Sequence, residues 1–256
     1  MSYLAEARNS WSALSPSILP VSFSSQRQWD DIICKRDRAR LLALSAKESG
    51  YWLHAFPSAN LGTILIDDDS VDTYGNHGLS CSRSAGRFSR HSTINDIIRR
   101  SLATVHVPAV IEPIGLARSD GKRPDGMTLI PWRLGRSLLW DATCVDTLAA
   151  SHIQATSSMV GAAATDVEQA KRRKNENLDI SFIFVPFGEE TLGPWGPEAR
   201  ALFKELSKRV IESSSDPRAG TYLGQRISLA IQRGNAASIL GTVPRCGGFE
   251  DVLDFI

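Results

Sequence analysis

The stretch GKRPDGMTLIPWRLGRSLLWDATCVD, residues 121–146, decides the fold that the sequence predicts, because its pattern indicates a β-hairpin carrying two carboxylates. Asp125 follows a proline just before the first strand, and Asp141 comes directly after an apolar run that ends at Trp140. An ionised carboxylate among apolar neighbours costs free energy unless a cation or hydrogen-bond donors accompany it. The stretch therefore predicts two acids that are held for a ligand.

The spacing of the two acids depends on the hairpin register. With strands at residues 127–131 and 137–145 and a turn centred near Leu134, Asp125 is opposite Thr143, and Asp141 lies one pair away on the same face. Such diagonal neighbours have Cα atoms roughly 7–8 Å apart, which lets both carboxylates share a hydrated Mg²⁺. A shift of one residue places them on opposite faces. The alternative for Asp125, which precedes a glycine, is a turn residue.

Further candidates for phosphate chemistry flank the hairpin. Glu112 ends the strand before it, and a helix predicted over residues 162–178 presents a stripe made of Val167, Lys171, Lys174 and Leu178. A lysine on this stripe is suited to orient a water or to stabilise a pentavalent phosphate. Two or three carboxylates with a lysine and Mg²⁺ can hydrolyse a phosphodiester. The alternative is that the KRRK run at residues 171–174 is a solvated face.

The composition is that of an ordinary globular protein. The chain has 256 residues, 42% of them hydrophobic and 22% charged, with a net charge of +1, values typical of folded domains. The charge is uneven, since residues 81–123 contain eight Lys and Arg against three Asp and Glu. This local excess favours contact with a nucleic-acid backbone, and a solvated surface is the alternative.

Cysteine usage and hydropathy indicate an intracellular protein. The four cysteines have no CxxC spacing, which favours a reducing compartment over a disulfide scaffold. The N-terminal residues lack the basic and apolar regions of a signal peptide, and no apolar run approaches the roughly 18 residues of a membrane span. We therefore expect a location in the nucleus or cytoplasm and no membrane partner.

The predicted elements form an α/β fold. From Ser92, the predicted N-cap, the order is α-β-β-β-α-β-α-α, and the apolar run at residues 180–188 is typical of a buried parallel strand. Helices are also predicted at residues 26–47, 197–212 and from 216 onward. The predicted divisions are a disordered tail (1–25), a helical connector and loop (26–90), the α/β domain with C-terminal helices (91–242) and a second tail (243–256).

Four segments resemble a known family. HGLSCSRSAGRFSRHSTINDIIRRSL, KRPDG, LLWDATCVDTLAASH and RISLAIQRGNAASILGT are similar to the C-terminal region of reverse transcriptases of the non-LTR-retrotransposon type. That region contains a restriction-like endonuclease of the PD-(D/E)XK superfamily, and the likeness covers about residues 36–242. The segment RDRARLLALSAKESGYWLHAFP resembles the connector after the polymerase. The resemblance implies a restriction-endonuclease-like core, Mg²⁺ or Mn²⁺, and nicking of DNA, with RNA left open.

The resemblance also implies roles for residues. Asp125 and Asp141 would be the metal ligands, and Lys171 or Lys174 would replace the usual lysine two positions after the second acid, where Thr143 stands. Glu112 is a candidate supporting acid. The expected nucleic-acid contacts are Arg83, Arg87, Arg90, His91, Arg99, Arg100, Lys122 and Arg123. For His91, the alternative is a helix-capping residue.

Two departures from the family limit this interpretation. No aromatic-x-Asp-Asp motif of a polymerase is present. Of the four ligands that would form a zinc knuckle in such proteins, only His77 and Cys81 remain, and two ligands do not make a structural zinc site. We predict no zinc. Three hypotheses follow: a metal-dependent DNA endonuclease fragment, an inactive nucleic-acid-binding remnant, or the product of a decayed element without a selected function.

Overall fold

The computed structural model describes residues 26–54, 85–116, 123–176, 178 and 180–240. The segments predicted as tails lie outside these residues, as do the candidates His77, Cys81, Arg83 and Lys122. The helices are α1 (Gln26–Leu44), a 3-10 helix (Lys47–His54), α2 (Ala85–Thr104), α3 (Ile153–Thr156), α4 (Ala162–Lys174), α5 (Pro197–Ser214) and α6 (Ala219–Leu240). The strands are β1 (Ala109–Ile111), β2 (Gly126–Thr128), β3 (Ser137–Val145) and β4 (Phe182–Glu190).

The strands form one mixed sheet in the order β1-β2-β3-β4, so the described chain is an α/β protein. Strands β1, β2 and β3 are antiparallel neighbours, whereas β4 runs parallel to β3 over nine residue pairs, from Ser137↔Phe182 to Val145↔Glu190. The prediction of a parallel fourth strand is confirmed. The element order expected from the sequence is also present from α2 onward, with the short helix α3 added.

The hairpin between β2 and β3 has a different register from the predicted one. Leu134 and Gly135 form the tight turn with positive φ angles of 51° and 71°, as two-residue hairpin turns require. Residues Leu129, Ile130 and Pro131 lengthen the first arm, so Gly126 pairs with Trp140. Extending this register by one residue places Asp125 opposite Asp141, and the predicted pairing of Asp125 with Thr143 is wrong.

Helix α2 crosses the predicted domain boundary at residues 90 and 91. It begins at Ala85, so Ser92 is inside the helix and is not its N-cap. The Ser92 hydroxyl donates instead to the carbonyl of Ser89 at 3.2 Å. The apolar spacing predicted the inward face correctly, because Ile94, Ile97, Ile98 and Leu102 are all buried.

The connector packs on the α/β core. Tyr51 of the 3-10 helix contacts the rings of Trp195 and Phe203, with centroids 5.9 and 6.1 Å away. Glu48 accepts a hydrogen bond from Arg200 of α5 at 2.8 Å. In α1, two leucines of the predicted apolar pattern, Leu41 and Leu44, are 70% and 65% exposed. Two small residues of this helix, Ala39 and Ala43, are buried, as is Arg36.

Two buried glutamates bind the first turns of helices α4 and α5. Neither helix has a capping side chain at its own N-cap, which is Gly161 in α4 and Gly196 in α5. Glu190 accepts from the N–H groups of residues 163 and 164 at 3.0 and 3.3 Å. Glu168 accepts from the N–H groups of residues 188, 198 and 199 at 2.9–3.1 Å. These bonds satisfy helix-end donors and hold α4 against the sheet.

Candidate acidic site

Asp125 and Asp141 meet at the edge where β2 begins. Their side chains are 15% and 11% exposed, so both are largely withdrawn from water. The backbone N–H of Ala142 donates to Oδ2 of Asp125 at 2.7 Å. This bond anchors Asp125 on β3. In the observed register the two acids are directly opposite each other, which is a closer arrangement than the diagonal one that the sequence predicted.

Lys171 of α4 is the cation at Asp141, because its Nζ donates to Oδ1 of that carboxylate. The predicted stripe of Val167, Lys171, Lys174 and Leu178 is not the inward one. The inward stripe contains Ala164, Glu168, Lys171 and Asn175, and Lys174 is exposed. Between the two candidate lysines, the structure brings only Lys171 to the acids.

His91 of α2 is the partner of Asp125. Its Nε2 lies 2.9 Å from Asp125 Oδ2. With the proton on Nε2, the ring donates to the carboxylate and leaves Nδ1 to accept from Asn95 Nδ2 at 3.5 Å. Asn95 in turn accepts a hydrogen bond from the indole N–H of the buried Trp140 at 2.9 Å. This chain orients His91 from the core, and the capping alternative for His91 is wrong.

Arg90 is buried and does not reach solvent, contrary to the predicted phosphate contact. It is 1% exposed, and its Nη1 donates to Asn235 Oδ1 at 2.9 Å and to Ser238 Oγ at 3.1 Å. A guanidinium that is sealed between α2 and α6 cannot bind a nucleic-acid backbone without opening the fold. Arg90 instead holds α2 in place, and so holds the neighbouring His91 at the acids.

Of the other predicted contacts, Arg99, Arg100 and Arg123 lie at or near the surface. Arg99 and Arg100 pair with Asp96 at 2.6 and 2.5 Å. Arg123 pairs with Glu112 at 3.4 Å, and the Glu112 side chain is 70% exposed. Glu112 is therefore engaged by a surface arginine and does not join the two aspartates. The helical residue Arg87 has no described side chain.

The two acids of the pair have pKa values shifted in opposite directions. Burial alone would raise the pKa of Asp125, but the hydrogen bond and charge of His91, the charge of Lys171 and the Ala142 N–H together lower it. Burial raises the pKa of Asp141, and although Lys171 opposes this, the charge and hydrogen bond of Asp125 keep it raised. The hydrogen bond from Asp125 likewise raises the pKa of His91. One acid is thus favoured as the anion and the other holds a proton more readily, as expected of adjacent carboxylates.

The donor set suits a hydrated divalent cation. Mg²⁺ is commonly held by one or two carboxylates while it keeps several waters, and a cation would oppose the burial and the repulsion from Asp125 that raise the pKa of Asp141. Asp125 and Asp141 are the residues that would hold it. Among the described residues, no group of three or more His, Cys, Asp or Glu side chains is arranged to bind a metal.

Sequence reasoning missed Asn95 and Glu189. Asn95 follows His91 by one helical turn within an apolar helix face, and this spacing is the signal that could have identified it. Glu189 lies on β4 and is 1% exposed, with no hydrogen-bond partner for either carboxylate oxygen in the described structure. In the sequence, Glu189 stands next to Glu190 after an apolar run, and this pair of acids gave no indication that Glu189 is buried.

Comparison with known proteins adds no assignment. No protein-family model matches this chain, and no curated protein is significantly similar to it. Within the described residues, no helix is long and apolar enough to cross a membrane.

Proposed function

We propose that this chain is a metal-dependent endonuclease that nicks DNA, with its active site at Asp125 and Asp141. The observation that carries the proposal is the convergence of two opposed, largely buried aspartates with Lys171 on one and His91 on the other. This set combines ligands for a hard cation with a fixed positive charge. The resemblance to retrotransposon endonucleases agrees with it, as does the excess of basic residues at positions 81–123.

Each side chain has a separate role in the proposal. Asp125 and Asp141 would hold Mg²⁺ or Mn²⁺, which supplies Lewis-acid stabilisation of a phosphate and a more acidic water. Lys171 positions Asp141 and places a positive charge where the phosphate would gain negative charge. His91 orients Asp125 and, when protonated, adds a second cation at the rim of the site. RNA remains an alternative substrate because the described contacts do not distinguish the two nucleic acids.

The proposed fold is the restriction-endonuclease-like α-β-β-β-α-β arrangement. It is supported by the order of the elements from α2 to β4 and by an antiparallel three-strand unit followed by a helical crossover to a parallel strand. The position of the acids, at the start of β2 and within β3, agrees with the arrangement that the resemblance implies.

Nicking of supercoiled plasmid tests the proposal. Wild type should nick with Mg²⁺ or Mn²⁺ and not with a chelator, and Asp141→Asn should lower the rate by at least about 100-fold, as the loss of a charge-stabilising group does. Lys171→Met should lower it comparably, whereas Lys174→Met should not. Asp166→Asn is the matched control, because Asp166 is an exposed acid on the same helix as Lys171. Undiminished nicking by Asp141→Asn would refute the site.

A second candidate is a nucleic-acid-binding remnant without turnover. It is favoured by the absence of a three-residue metal group within the described residues. In that case all variants would fail to nick, while binding of a labelled duplex would persist and weaken steeply with salt. Binding that does not change with salt would exclude this candidate, and metal-dependent nicking would replace it with the first.

A further inference from the structure

Strand β4 has an open edge that borders a large groove. It is the last strand of the described sheet, so only β3 pairs with it along its length. A groove of about 930 Å³ borders the start of this strand, lined by α5, by Arg172 near the C-terminal end of α4, and by the hairpin residues Trp132, Arg133 and Arg136. The half-buried side chains of Phe182, Ile183 and Val185 form an apolar wall of this edge groove. The groove is separate from the acids, which lie between β2 and β3.

The direction of the backbone groups shows which part of the edge is open. Ser137 N donates to the carbonyl of Ser181, so odd-numbered residues of β4 direct their polar groups toward β3, and even-numbered residues direct theirs outward. Phe184 agrees, since its carbonyl accepts from Arg172 at 3.4 Å on the outer side. Phe182 therefore presents its N–H and C=O groups to the groove, and Phe184 presents its N–H together with a carbonyl that Arg172 already contacts.

The rest of the edge is already closed. Pro186 has no N–H group to offer. Gly188 donates its N–H to Glu168 at 3.1 Å, and its carbonyl accepts from Gly196 N at 2.9 Å. The isolated bridge between Glu189 and Trp195 covers the following residue. Within the described chain, an added strand would thus find partners only at residues 182–184, which defines its place and its short length.

The charges around the groove select the kind of strand. Five basic and two acidic residues line it, and both acids are paired: Glu198 with Arg172 at 2.6 Å, and Glu205 with Arg209 at 2.8 Å. Arg136 and Lys204 have no ion pair among the described residues. A second copy of this chain would bring the same positive excess, so pairing of two such edges is disfavoured.

We propose that the edge groove binds an acidic, extended polypeptide segment, which adds to the sheet as a strand beside β4. Backbone hydrogen bonds to Phe182 and Phe184 would give affinity, and alternate side chains of the segment would reach the apolar wall. Carboxylates of the segment would pair with Arg136 and Lys204. A nucleic-acid backbone matches the charge but has no groups that complete a strand edge, and the apolar wall favours a polypeptide.

Fluorescence anisotropy with the full chain tests this proposal. The probe is a labelled, end-blocked hexapeptide of alternating valine and glutamate. It should bind saturably and at least about tenfold more tightly than the same peptide with lysine in place of glutamate. N-methylation of the backbone nitrogens that face β4 should weaken binding by a similar factor, because it removes the strand hydrogen bonds.

Variants assign the binding to the groove. Arg136→Glu combined with Lys204→Glu should weaken the acidic peptide at least about tenfold, whereas Arg38→Glu, an exposed arginine on α1, should not. Circular dichroism confirms that the variants are folded. Three results would overturn the proposal: no saturable binding, equal binding of the N-methylated peptide, or displacement of the peptide by single-stranded DNA at equal concentration. The last result would reassign the groove to nucleic acid.

Discussion

Glu189 is a buried acid that makes the stability of this fold depend on pH. Its carboxylate has no hydrogen-bond partner in the described structure, although Arg90 and Lys171 are near enough to act on it through charge. Burial outweighs those cations and raises the pKa of Glu189 to about 8. Near neutral pH the folded protein therefore keeps this carboxyl protonated, whereas the unfolded chain ionises it. The residue makes folding depend on pH.

We expect Glu189→Gln to remove that dependence. Because the folded pKa is raised above the unfolded one, the stability contribution of neutral Glu189 is complete below pH 4.5 and is lost progressively up to about pH 8. At pH 8 the variant should be more stable than wild type by several kcal/mol, given about 1.4 kcal/mol per pKa unit. At pH 5 the two should be similar. Urea unfolding at both pH values measures this, and a constant difference across pH would contradict it.

Among the elements, α4 and the hairpin do most to place the acidic site. Helix α4 is held by two acids, since Glu190 of β4 binds its first turn and its own Glu168 binds the next helix, α5. The hairpin is held by Trp140, whose fully buried ring lies against Gly126. Both arrangements join different elements of the fold. Together they fix the positions at which Lys171 contacts Asp141 and Asp125 contacts His91.

Glu168→Ala should destabilise the protein by about 3 kcal/mol or more, because it leaves two buried N–H groups and one partly buried N–H group without an acceptor. Glu168→Gln keeps one acceptor oxygen and should cost markedly less. Chemical denaturation of both variants gives the free energies of unfolding. Equal losses would show that the negative charge of Glu168, rather than its role as an acceptor, matters.

Gly126→Ala should be poorly tolerated, since a Cβ at this position would lie 2.0 Å from the Trp140 ring. The ring is fully buried, so either it or strand β2 must move, at a cost of about 3 kcal/mol or more. Gly50→Ala is the control, because a Cβ there meets no atom within 4 Å. Thermal unfolding compares the two, and similar melting temperatures for both variants would contradict the packing argument.

At the scale of the whole molecule, the connector and the α/β domain form one structure. The 3-10 helix packs its tyrosine into the aromatic cluster of Trp195 and Phe203, and helix α2 continues through the boundary that the sequence predicted. Helix α6 contacts both parts, since Gln225 donates to the carbonyl of His54 at 3.1 Å and Asn235 to that of Thr191 at 2.7 Å. We therefore expect the described parts to unfold together.

Tyr51→Ala should lower the global free energy of unfolding by about 2–4 kcal/mol, the range for a large aromatic side chain that is partly buried. Circular dichroism and tryptophan fluorescence should follow a single transition in wild type and variant. Leu53→Ala is the matched control in the same helix, because Leu53 is 65% exposed. Two separate transitions, or an unchanged midpoint for Tyr51→Ala, would show that the connector unfolds independently.

Local pattern by itself determined the kind and order of the elements, because periodicity and turn residues act over a few neighbours. The bounds of β3 at residues 137–145 and the start of α5 at residue 197 were predicted correctly. Both aspartates and the candidate lysines were likewise visible as residue types in a pattern. A resemblance in short segments supplied the proposed chemistry, and it did so without reference to any contact.

Only the tertiary structure decided which of these residues meet. Three additional residues in one hairpin arm moved Asp125 opposite Asp141, burial separated Lys171 from Lys174, and the contact with α6 took Arg90 out of reach of solvent. Each outcome depends on groups far apart in the chain, such as Arg90 and Asn235. Sequence spacing describes neighbours along the backbone, whereas register, burial and ion pairing are set by packing across the sheet.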